Sequence, residues 1–430
     1  MNTVAIMLLL GSFFGLIILR VPVAFGLLIS SVVTAFYCGI PVAMLAQALV
    51  RGVNSFSLLA IPFFILAGEI MSDGGMGMRL VQFSNAMIGH MRGGLAQVNI
   101  LSSMFFGGIS GSSVADTSSV GSILIPMMKQ KGYDMDYSVA VTITGSTQGI
   151  LIPPSHNMII YALAAGSGVS VSSLFLAGFV PGVLLGISLM ILSYYFAVKR
   201  RYPVEERVGW KGKGKAFRGA FLGLFTFVIV VVGVVSGLYT ATEAAAAAAF
   251  YAFLVTFFVY REVPLSHLGT ILRRSLKTLA LVMALIAASS SFGWMLAYLR
   301  VPALATELLT SISSNKYVIL LVINVLLLFL GCIMDMAPLI LITTPILLPV
   351  VKIIGVDLVH FGIIMMLNLS IGLLTPPVGS TLFVGCAIGK ISIEKLTKMM
   401  LPFYAVMVLV LIIITYIPAV SMTLPKLFGG

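Results

Sequence analysis

The sequence is poor in charge, in acidic residues and in cysteine. Charged residues make up 9% of the 430 positions, only 13 residues are acidic, and the net charge is +12. No polar stretch is long enough to form an independent soluble domain. Cys38, Cys332 and Cys386 match no metal-ligand spacing and do not form the pattern of a disulfide framework. The chain is therefore a single body with little surface suited to water.

Apolar residues, at 60% of the chain, occupy windows that are each near the length needed to cross the hydrocarbon core of a bilayer. We predict an all-α integral membrane protein with about eleven transmembrane helices. The windows lie at about 4–19, 21–38, 56–72, 141–165, 171–198, 219–238, 244–260, 278–298, 317–333, 361–388 and 400–420.

The basic residues indicate membrane topology rather than nucleic-acid binding, because they lie in short loops between the windows. The most basic loop, 199–218, carries eight Lys and Arg residues and is predicted to be cytoplasmic. Counting spans outward from it puts 20 of the 25 bases inside and both termini outside, and no signal peptide with a cleavage site is apparent. The five bases predicted to lie outside are Arg51, Arg300, Lys316, Lys352 and Lys426.

This count holds only if two segments enter the membrane and return to the side from which they came. The first re-entrant hairpin is predicted at about 102–125 and opens to the cytoplasm, and the second, at about 325–348, opens to the outside. The first contains FGGISGSSVADTSSVG at 106–121, whose glycines permit a sharp turn and whose hydroxyls supply uncharged oxygens. Such a stretch suits a hairpin tip that approaches an ion or a substrate inside the membrane.

The chain contains an internal repeat with an offset of 223 residues. Without a gap, 106–166 aligns with 329–389, and 14 of the 61 positions are identical, several glycines and prolines among them. We therefore predict a first repeat at 1–198, a cytoplasmic basic linker at 199–218 and a second repeat at 219–430. With the two re-entrant stretches not counted as crossings, each half has an odd number of crossings, so the halves are expected to be inverted, as in many secondary transporters.

Each repeat also holds a helix interrupted by a Pro-Pro pair, at about 141–165 and about 361–388. Two prolines in mid-span remove two backbone donors and free the carbonyls that precede them. Freed carbonyls at bilayer depth need protein, water or an ion as a partner. A hard monovalent cation such as sodium binds several oxygens, so each hairpin with its neighbouring break is expected to form an ion site. A structural kink satisfied by neighbouring helices is the alternative.

The motifs FGGISGSSVADTSSVG, QGILIPPS at 148–155, GCIMDMAP at 331–338 and IGLLTPPVG at 371–379 resemble the large membrane subunit of tripartite ATP-independent periplasmic (TRAP) transporters. The resemblance extends over nearly the whole chain. It implies an elevator-type fold of the ion-transporter superfamily, a place in the bacterial inner membrane with periplasmic termini, and sodium as the coupling ion with no other cofactor.

The same resemblance implies two protein partners and two sodium sites. The partners are a periplasmic substrate-binding protein that delivers an organic acid and a separate small four-helix membrane subunit. The ligands implied for the first sodium are Gly107, Ser110, Gly149, Ile152 and Pro154, and those for the second are Gly331, Gly372, Thr375 and Val378.

Polar side chains around the tips and breaks are candidates for binding the acid, and their number favours a sialic acid or another sugar acid over a short dicarboxylate. Asp116 either belongs to the site or caps the second hairpin helix, and Asp335 is expected to play a similar capping role at the second tip. His156 either shuttles protons, forms a hydrogen bond with the substrate, or is an interior histidine whose hydrogen bonds are satisfied by the protein. The full candidate set is Ser112, Ser113, Asp116, Thr117, Gln148, Ser155, His156, Asn157 and Ser380.

The leading interpretation is thus the large subunit of a sodium-coupled symporter that depends on a binding protein and is not an enzyme. A stand-alone ion or metabolite antiporter of the same superfamily is the alternative. An intramembrane enzyme that uses Asp116 and His156 is disfavoured, because no second catalytic carboxylate or metal motif accompanies them.

Overall fold

The computed structural model describes residues 3–428, which form helices and short connections. Seven helical segments in this range are long and apolar enough to cross a membrane. The helices are α1 (Thr3–Ile18), α2 (Val23–Tyr37), α3 (Val42–Val53), α4 (Ala60–Asp73), α5 (Met76–Ile88), α6 (Gly94–Ser110), α7 (Ser113–Gln130), α8 (Met135–Ser146), α9 (Gln148–Leu151), α10 (His156–Ala165), α11 (Val171–Lys199), α12 (Trp210–Val235), α13 (Ala241–Leu254, continued as a π-helix over Val255–Tyr260), α14 (Leu268–Tyr298), α15 (Val301–Ile312), α16 (Lys316–Ile333), α17 (Met336–Ile353), α18 (Leu358–Gly372), α19 (Ser380–Gly389), α20 (Ile393–Tyr416) and α21 (Ala419–Phe428).

The two predicted hairpins correspond to the helix pairs α6–α7 and α16–α17, whose arms extend further than the sequence indicated. The first pair covers 94–130 rather than 102–125, and the second covers 316–353 rather than 325–348. The apolar window at 317–333 coincides with α16, so one helix carries both a predicted span and the first arm of the second predicted hairpin. The sequence alone does not separate the two predictions, because this arm is as apolar as a lipid-facing helix and the turn that ends it contains no proline.

Both predicted broken helices are present. In the first half, α8 and the short α9 end at Leu151, and α10 begins at His156. In the second half, α18 ends at Gly372 and α19 begins at Ser380. The first broken helix begins at Met135 rather than near 141, with Asp134 at its N-cap position.

The offset of 223 residues also relates the limits of the helices. Adding 223 to the limits of α7 gives 336 and 353, which are the limits of α17. The same shift takes α6 to 317–333, one residue from the start of α16, and takes α10 to 379–388, one residue from α19. The whole hairpin and break unit is therefore repeated as structure, while the opposite orientation of the halves stays a prediction.

The halves of the broken helices that precede the breaks lie at the centre of the molecule. Every residue of α8 from Tyr137 to Ser146 is buried, and so is every residue of α18 from Val359 to Gly372. A helix buried on all faces cannot contact lipid, so the segments that lead into both breaks are held inside protein. The first break is itself buried from Ile152 to Ser155, whereas Pro377 and Val378 of the second break are exposed. The helices that follow them exchange partners, since α10 packs against α17 and α19 packs against α7. The two repeats consequently meet around the breaks.

Four short helices were not predicted from the sequence: α3, α5, α15 and α21. They have 10 to 13 residues, too few to span a bilayer, and they present a limited buried face. In α3 only Leu45 and Ala48 are buried. Windows chosen by hydropathy alone miss such amphipathic elements, because their polar face lowers the average.

The predicted linker is shorter than 199–218, since α12 begins at Trp210. Two hydrogen bonds join its first residues to Asp134 of the first repeat. Tyr202 Oη donates to Asp134 Oδ2 at 2.7 Å, and Arg200 Nη1 donates to the same oxygen at 2.7 Å. The Tyr202 hydrogen bond, followed by that from Arg200, lowers the pKa of Asp134 from its ordinary value. The linker therefore fixes the turn between α7 and α8.

Candidate functional site

The tip of the first hairpin lies against the first break. Gly107 and Gly149 meet backbone to backbone, so that a Cβ added to Gly107 would lie 2.3 Å from the Cα of Gly149. At the tip, Gly111 has a φ of +62°, and a Cβ there would lie 2.7 Å from the carbonyl oxygen of Pro154. Only glycine allows both approaches without strain. The sequence GGISG thus brings the tip into contact with the interrupted helix.

The second hairpin meets the second break in the same way. A Cβ added to Gly372 would lie 2.6 Å from the Cα of Gly331. The contact is secured by a hydrogen bond from the Val378 amide to the Cys332 carbonyl, at 3.1 Å. The gap-free alignment pairs Gly331 with Gly108. In the structure, however, the glycine that contacts the break of the first half is Gly107. The first hairpin therefore has one more residue between Gly107 and the N-cap residue of its second arm, Ser112, than the second hairpin has between Gly331 and Asp335.

Each break leaves two carbonyls without the donor that a continuous helix would give them. The residues four positions beyond Gly149 and Ile150 are Pro153 and Pro154, which have no N–H. Pro376 and Pro377 do the same for Gly372 and Leu373, although the Thr375 amide reaches the Gly372 carbonyl at 2.9 Å and the Leu382 amide reaches the Leu373 carbonyl at 3.4 Å. These oxygens lie where the hairpin tips approach. Their chemistry is that of ligands for a hard cation.

Most residues of the two predicted sodium sites are brought together at these contacts. In the first set, Gly107 and Ser110 are on the last turns of α6, and Gly149, Ile152 and Pro154 are on the facing break. In the second set, Thr375 Oγ1 donates to the Ile371 carbonyl at 2.8 Å, which leaves its lone pairs free to accept or to bind a cation. The ligand assignments themselves stay predictions.

Hydroxyl groups from both repeats form one buried cluster beside the breaks. Ser113 and Ser146 are joined by a 2.7 Å hydrogen bond, and Thr117 donates to Ser146 at 2.9 Å. Thr381 of the second repeat donates to Ser113 at 3.1 Å. All four side chains are buried. The cluster therefore connects the first turn of α7, the end of α8 and the first turn of α19.

Ser146 was not among the predicted site residues. It lies at the end of α8, before the break, in the polar run TITGSTQ at 142–148, where the sequence does not distinguish it from its neighbours. Only the packing of α7 against α8 reveals its position. Thr381 follows the predicted Ser380 by one residue, and it is Thr381, not Ser380, that joins the cluster. Ser380 instead donates to Asp335 Oδ1 at 3.2 Å.

Asp116 is buried in the first turn of α7, and neither of its carboxylate oxygens has a hydrogen-bond partner. The capping role considered for it is not supported, because the cap of α7 is Ser112, whose hydroxyl accepts the Ala115 amide at 3.4 Å. Ser103 of α6 is the polar side chain that interacts with the carboxyl group, without reaching hydrogen-bond geometry. Asp335 also makes no side-chain cap, so its predicted role is wrong. A buried carboxylate that makes no capping hydrogen bond is a candidate for a functional role.

The other substrate candidates do not form one group. Gln148 Nε2 donates to the Gly145 carbonyl at 3.0 Å, and its Oε1 points to Gly186 of α11, away from the hydroxyl cluster. Ser155 is buried at the start of α10 with no partner for its hydroxyl. His156 follows at the point where Gly111 closes on the break, and Asn157 is buried next to it.

A symmetric pair of tip and break contacts, with freed carbonyls and a hydroxyl cluster between them, is the arrangement expected of a secondary transporter. The family model for the DctM component of tripartite ATP-independent periplasmic transporters matches residues 10–420. The chain belongs to this family. TRAP large permeases act together with a small membrane subunit and a periplasmic binding protein.

Relatives support the membership along the full length. The chain is 43% identical to the Salmonella typhimurium protein YgiK over 99% of its own length and 98% of the relative. It is 40% identical to the C4-dicarboxylate TRAP transporter large permease protein DctM of Pseudomonas aeruginosa, over 90% of each chain. It is 37% identical to the sialic acid TRAP transporter large permease protein SiaM of Vibrio cholerae, over 98% of this chain and 99% of the relative.

The crystal structure of the Alcanivorax borkumensis YdaH transporter has the same fold. The match has a TM-score of 0.61 and covers 87% of this chain and 88% of that one, at 14% sequence identity. At this identity the likeness concerns the fold alone. Together with the helices described above, it identifies an all-α fold, while the family membership points to a multi-pass protein of the inner membrane.

Proposed function

We propose that this TRAP large subunit imports an organic acid by sodium-coupled symport, with one sodium ion at each hairpin and break. The observation that carries the proposal is the pair of contacts Gly107 with Gly149 and Gly331 with Gly372, each at a residue whose carbonyl loses its helical donor to a Pro-Pro pair. Carbonyl and hydroxyl oxygens suit a monovalent cation, because they bind it without the cost of burying several carboxylates.

The substrate in this proposal is a sugar acid such as a sialic acid. The hydroxyl cluster of Ser113, Thr117, Ser146 and Thr381 offers several hydrogen-bonding groups at the interface of the repeats, and these match a polyhydroxylated molecule better than a short one. The named relatives include permeases for sialic acid and for C4-dicarboxylates. A dicarboxylate is therefore the competing substrate, and competition between the two in uptake assays separates them.

In an elevator mechanism, the two hairpins and broken helices move as one body with bound sodium and acid. The exchange of partners between the repeats, α10 with α17 and α19 with α7, favours such joint motion, because neither unit can move without the other. In this mechanism the large subunit forms the transport pathway, the binding protein captures the acid, and the small subunit forms a membrane scaffold.

Reconstitution tests the proposal. Liposomes that contain this chain with the small subunit should take up sialic acid when the loaded binding protein and an inward sodium gradient are present. Omission of any one component should abolish uptake. Strong uptake by this chain alone would favour a stand-alone transporter of the same fold instead.

A further inference from the structure

Arg51, in the last turn of α3, lines two adjoining cavities that lie away from the hydroxyl cluster. The first has a volume of about 380 Å³ and is also lined by Gln47, Ser290 and Trp294. The second, of about 250 Å³, extends from Arg51 and Ser290 to Ser289 and beyond. We call the two cavities together the Arg51 cleft. Cavities of this size accommodate a small organic molecule.

The cleft carries an uncompensated positive charge. Within residues 3–428, Arg51 forms no ion pair with an acidic side chain. The Ser289 hydroxyl, whose residue is 4% exposed, lines the cleft and has no hydrogen-bond partner. A guanidinium group binds a carboxylate through two parallel hydrogen bonds, and a neighbouring hydroxyl adds a further donor. The cleft therefore has the chemistry of a carboxylate site.

The position of Arg51 is fixed by its neighbour. A Cβ added to Gly52 would lie 2.3 Å from the Cβ of Ser290, so α3 and α14 touch directly at the floor of the cleft. Any larger residue at position 52 would separate the two helices. The arginine is thus held at a defined place on a rigid pair of helices, although its side chain can reach solvent.

The cleft extends toward the moving elements of the site. Its second cavity reaches Leu163 of α10 and Leu341 of α17. Leu163 is seven residues beyond His156, a distance of about 10 Å along a helix. The distribution of basic residues assigns Arg51 to the outer side of the membrane. The cleft therefore lies on the outward side of the first break.

We propose that the Arg51 cleft is an outer binding site for the carboxylate of the transported acid, which occupies it before reaching the two breaks. This inference rests on the proposed function, because it takes the substrate to be an organic anion. Arg51 and Ser289 bind the carboxylate, and Trp294 and Gln47 face the remainder of the molecule. The cleft selects anions at entry, while the hydroxyl cluster lies deeper.

Trp294 provides a direct reporter of occupancy. The sequence has two tryptophans, so Trp210→Phe leaves Trp294 as the single emitter in the full-length protein. In detergent, sialic acid and succinate should each change its emission in a saturable way, whereas an uncharged hexose should not. Arg51→Gln should raise the half-saturating concentration roughly ten- to hundredfold, the cost of losing a charge-assisted hydrogen bond.

The matched control is Lys352→Gln, which removes another exposed base predicted to face outward but not lining the cleft. It should titrate like the parent protein. Arg51→Lys keeps the charge but loses the planar fork, so it should bind more weakly than the parent, and it carries the test if Arg51→Gln is not recovered folded. No saturable change in the parent, or equal titrations for the parent and the Arg51 variants, would overturn the inference.

Transport assays separate this inference from the proposed function. In the reconstituted three-component system, Arg51→Gln should slow uptake at limiting binding protein, and Lys352→Gln should not. Normal uptake by Arg51→Gln would reject the cleft and leave the proposed function intact. Absence of uptake by the unmodified system would reject the proposed function, while the Trp294 titration would still report on the cleft.

Discussion

Gly331 and Gly372 touch through their backbones, since a Cβ placed on Gly372 would lie 2.6 Å from the Cα and 2.8 Å from the carbonyl oxygen of Gly331. Gly107 and Gly149 repeat the contact in the first half. Such proximity places each hairpin tip against a residue, Gly149 or Gly372, whose carbonyl loses its helical donor to a Pro-Pro pair. The contacts are therefore expected to be required for ion binding as well as for packing.

Substitution of either break glycine should separate tip and break. Gly149→Ala and Gly372→Ala each insert a methyl group into backbone atoms that cannot rotate away, at a cost of about 1–3 kcal/mol of stability. Both variants should also need more sodium for half-maximal uptake. Thermal unfolding in detergent and sodium titration of uptake measure the two effects.

Gly15→Ala is the matched control, because Gly15 lies in the last turn of α1 with open space around its Cβ position. It should be neutral or slightly stabilising. If Gly149→Ala and Gly372→Ala behave like this control in both assays, the contacts do not have the role assigned to them.

Two hydroxyl variants examine the sodium ligands individually. Ser110→Ala and Thr375→Val each remove one neutral oxygen from a predicted site, and the valine preserves the shape of threonine. Each should raise the sodium concentration for half-maximal uptake by roughly ten- to hundredfold. Acid binding by the isolated binding protein should be unchanged. Unaltered sodium dependence in both folded variants would remove these residues from the ligand set.

Asp116→Asn distinguishes a functional carboxylate from a structural one. The carboxyl oxygens have no hydrogen-bond partner in the structure, so the neutral, nearly isosteric asparagine should unfold at a temperature no lower than the parent. Uptake per folded molecule should fall. Lower thermal stability with normal uptake would instead indicate that Asp116 supports the hairpin.

The places of the tips and breaks were predictable because glycine and proline act locally. A glycine run permits a turn, and a proline removes a donor, wherever the rest of the chain folds. The repeat strengthened these predictions, since Gly149 and Gly372 occupy equivalent positions in the two repeats and make equivalent contacts. These motifs also carry the family resemblance, and the family model that matches residues 10–420 confirms it.

The neighbours of those elements were not predictable, because they depend on tertiary packing. Gln148 is a predicted substrate residue, and nothing in the sequence indicated that its amide lies against α6 and α11. Ser146 and Thr381 enter the hydroxyl cluster only through the packing of α7 with α8 and α19. Arg51 gave no signal beyond its predicted outer location, since α3 is too short and too polar to appear as a span.

The predicted topology has its own test. Lys213, in the first turn of α12, should be cytoplasmic, and Lys316, the first residue of α16, should be periplasmic. In a background without the three native cysteines, an impermeant thiol reagent applied to intact cells should label Lys316→Cys and not Lys213→Cys. Labelling of both before permeabilisation would refute the inverted arrangement of the repeats.

The central claim is that sodium entry drives acid uptake through the two tip and break sites. The most direct measurement is sialic acid accumulation by the reconstituted three-component system at a clamped membrane potential, with an inward gradient of sodium or of choline. Accumulation against the acid gradient with sodium, and none with choline, is the predicted result. Equal accumulation in the two gradients would contradict the account.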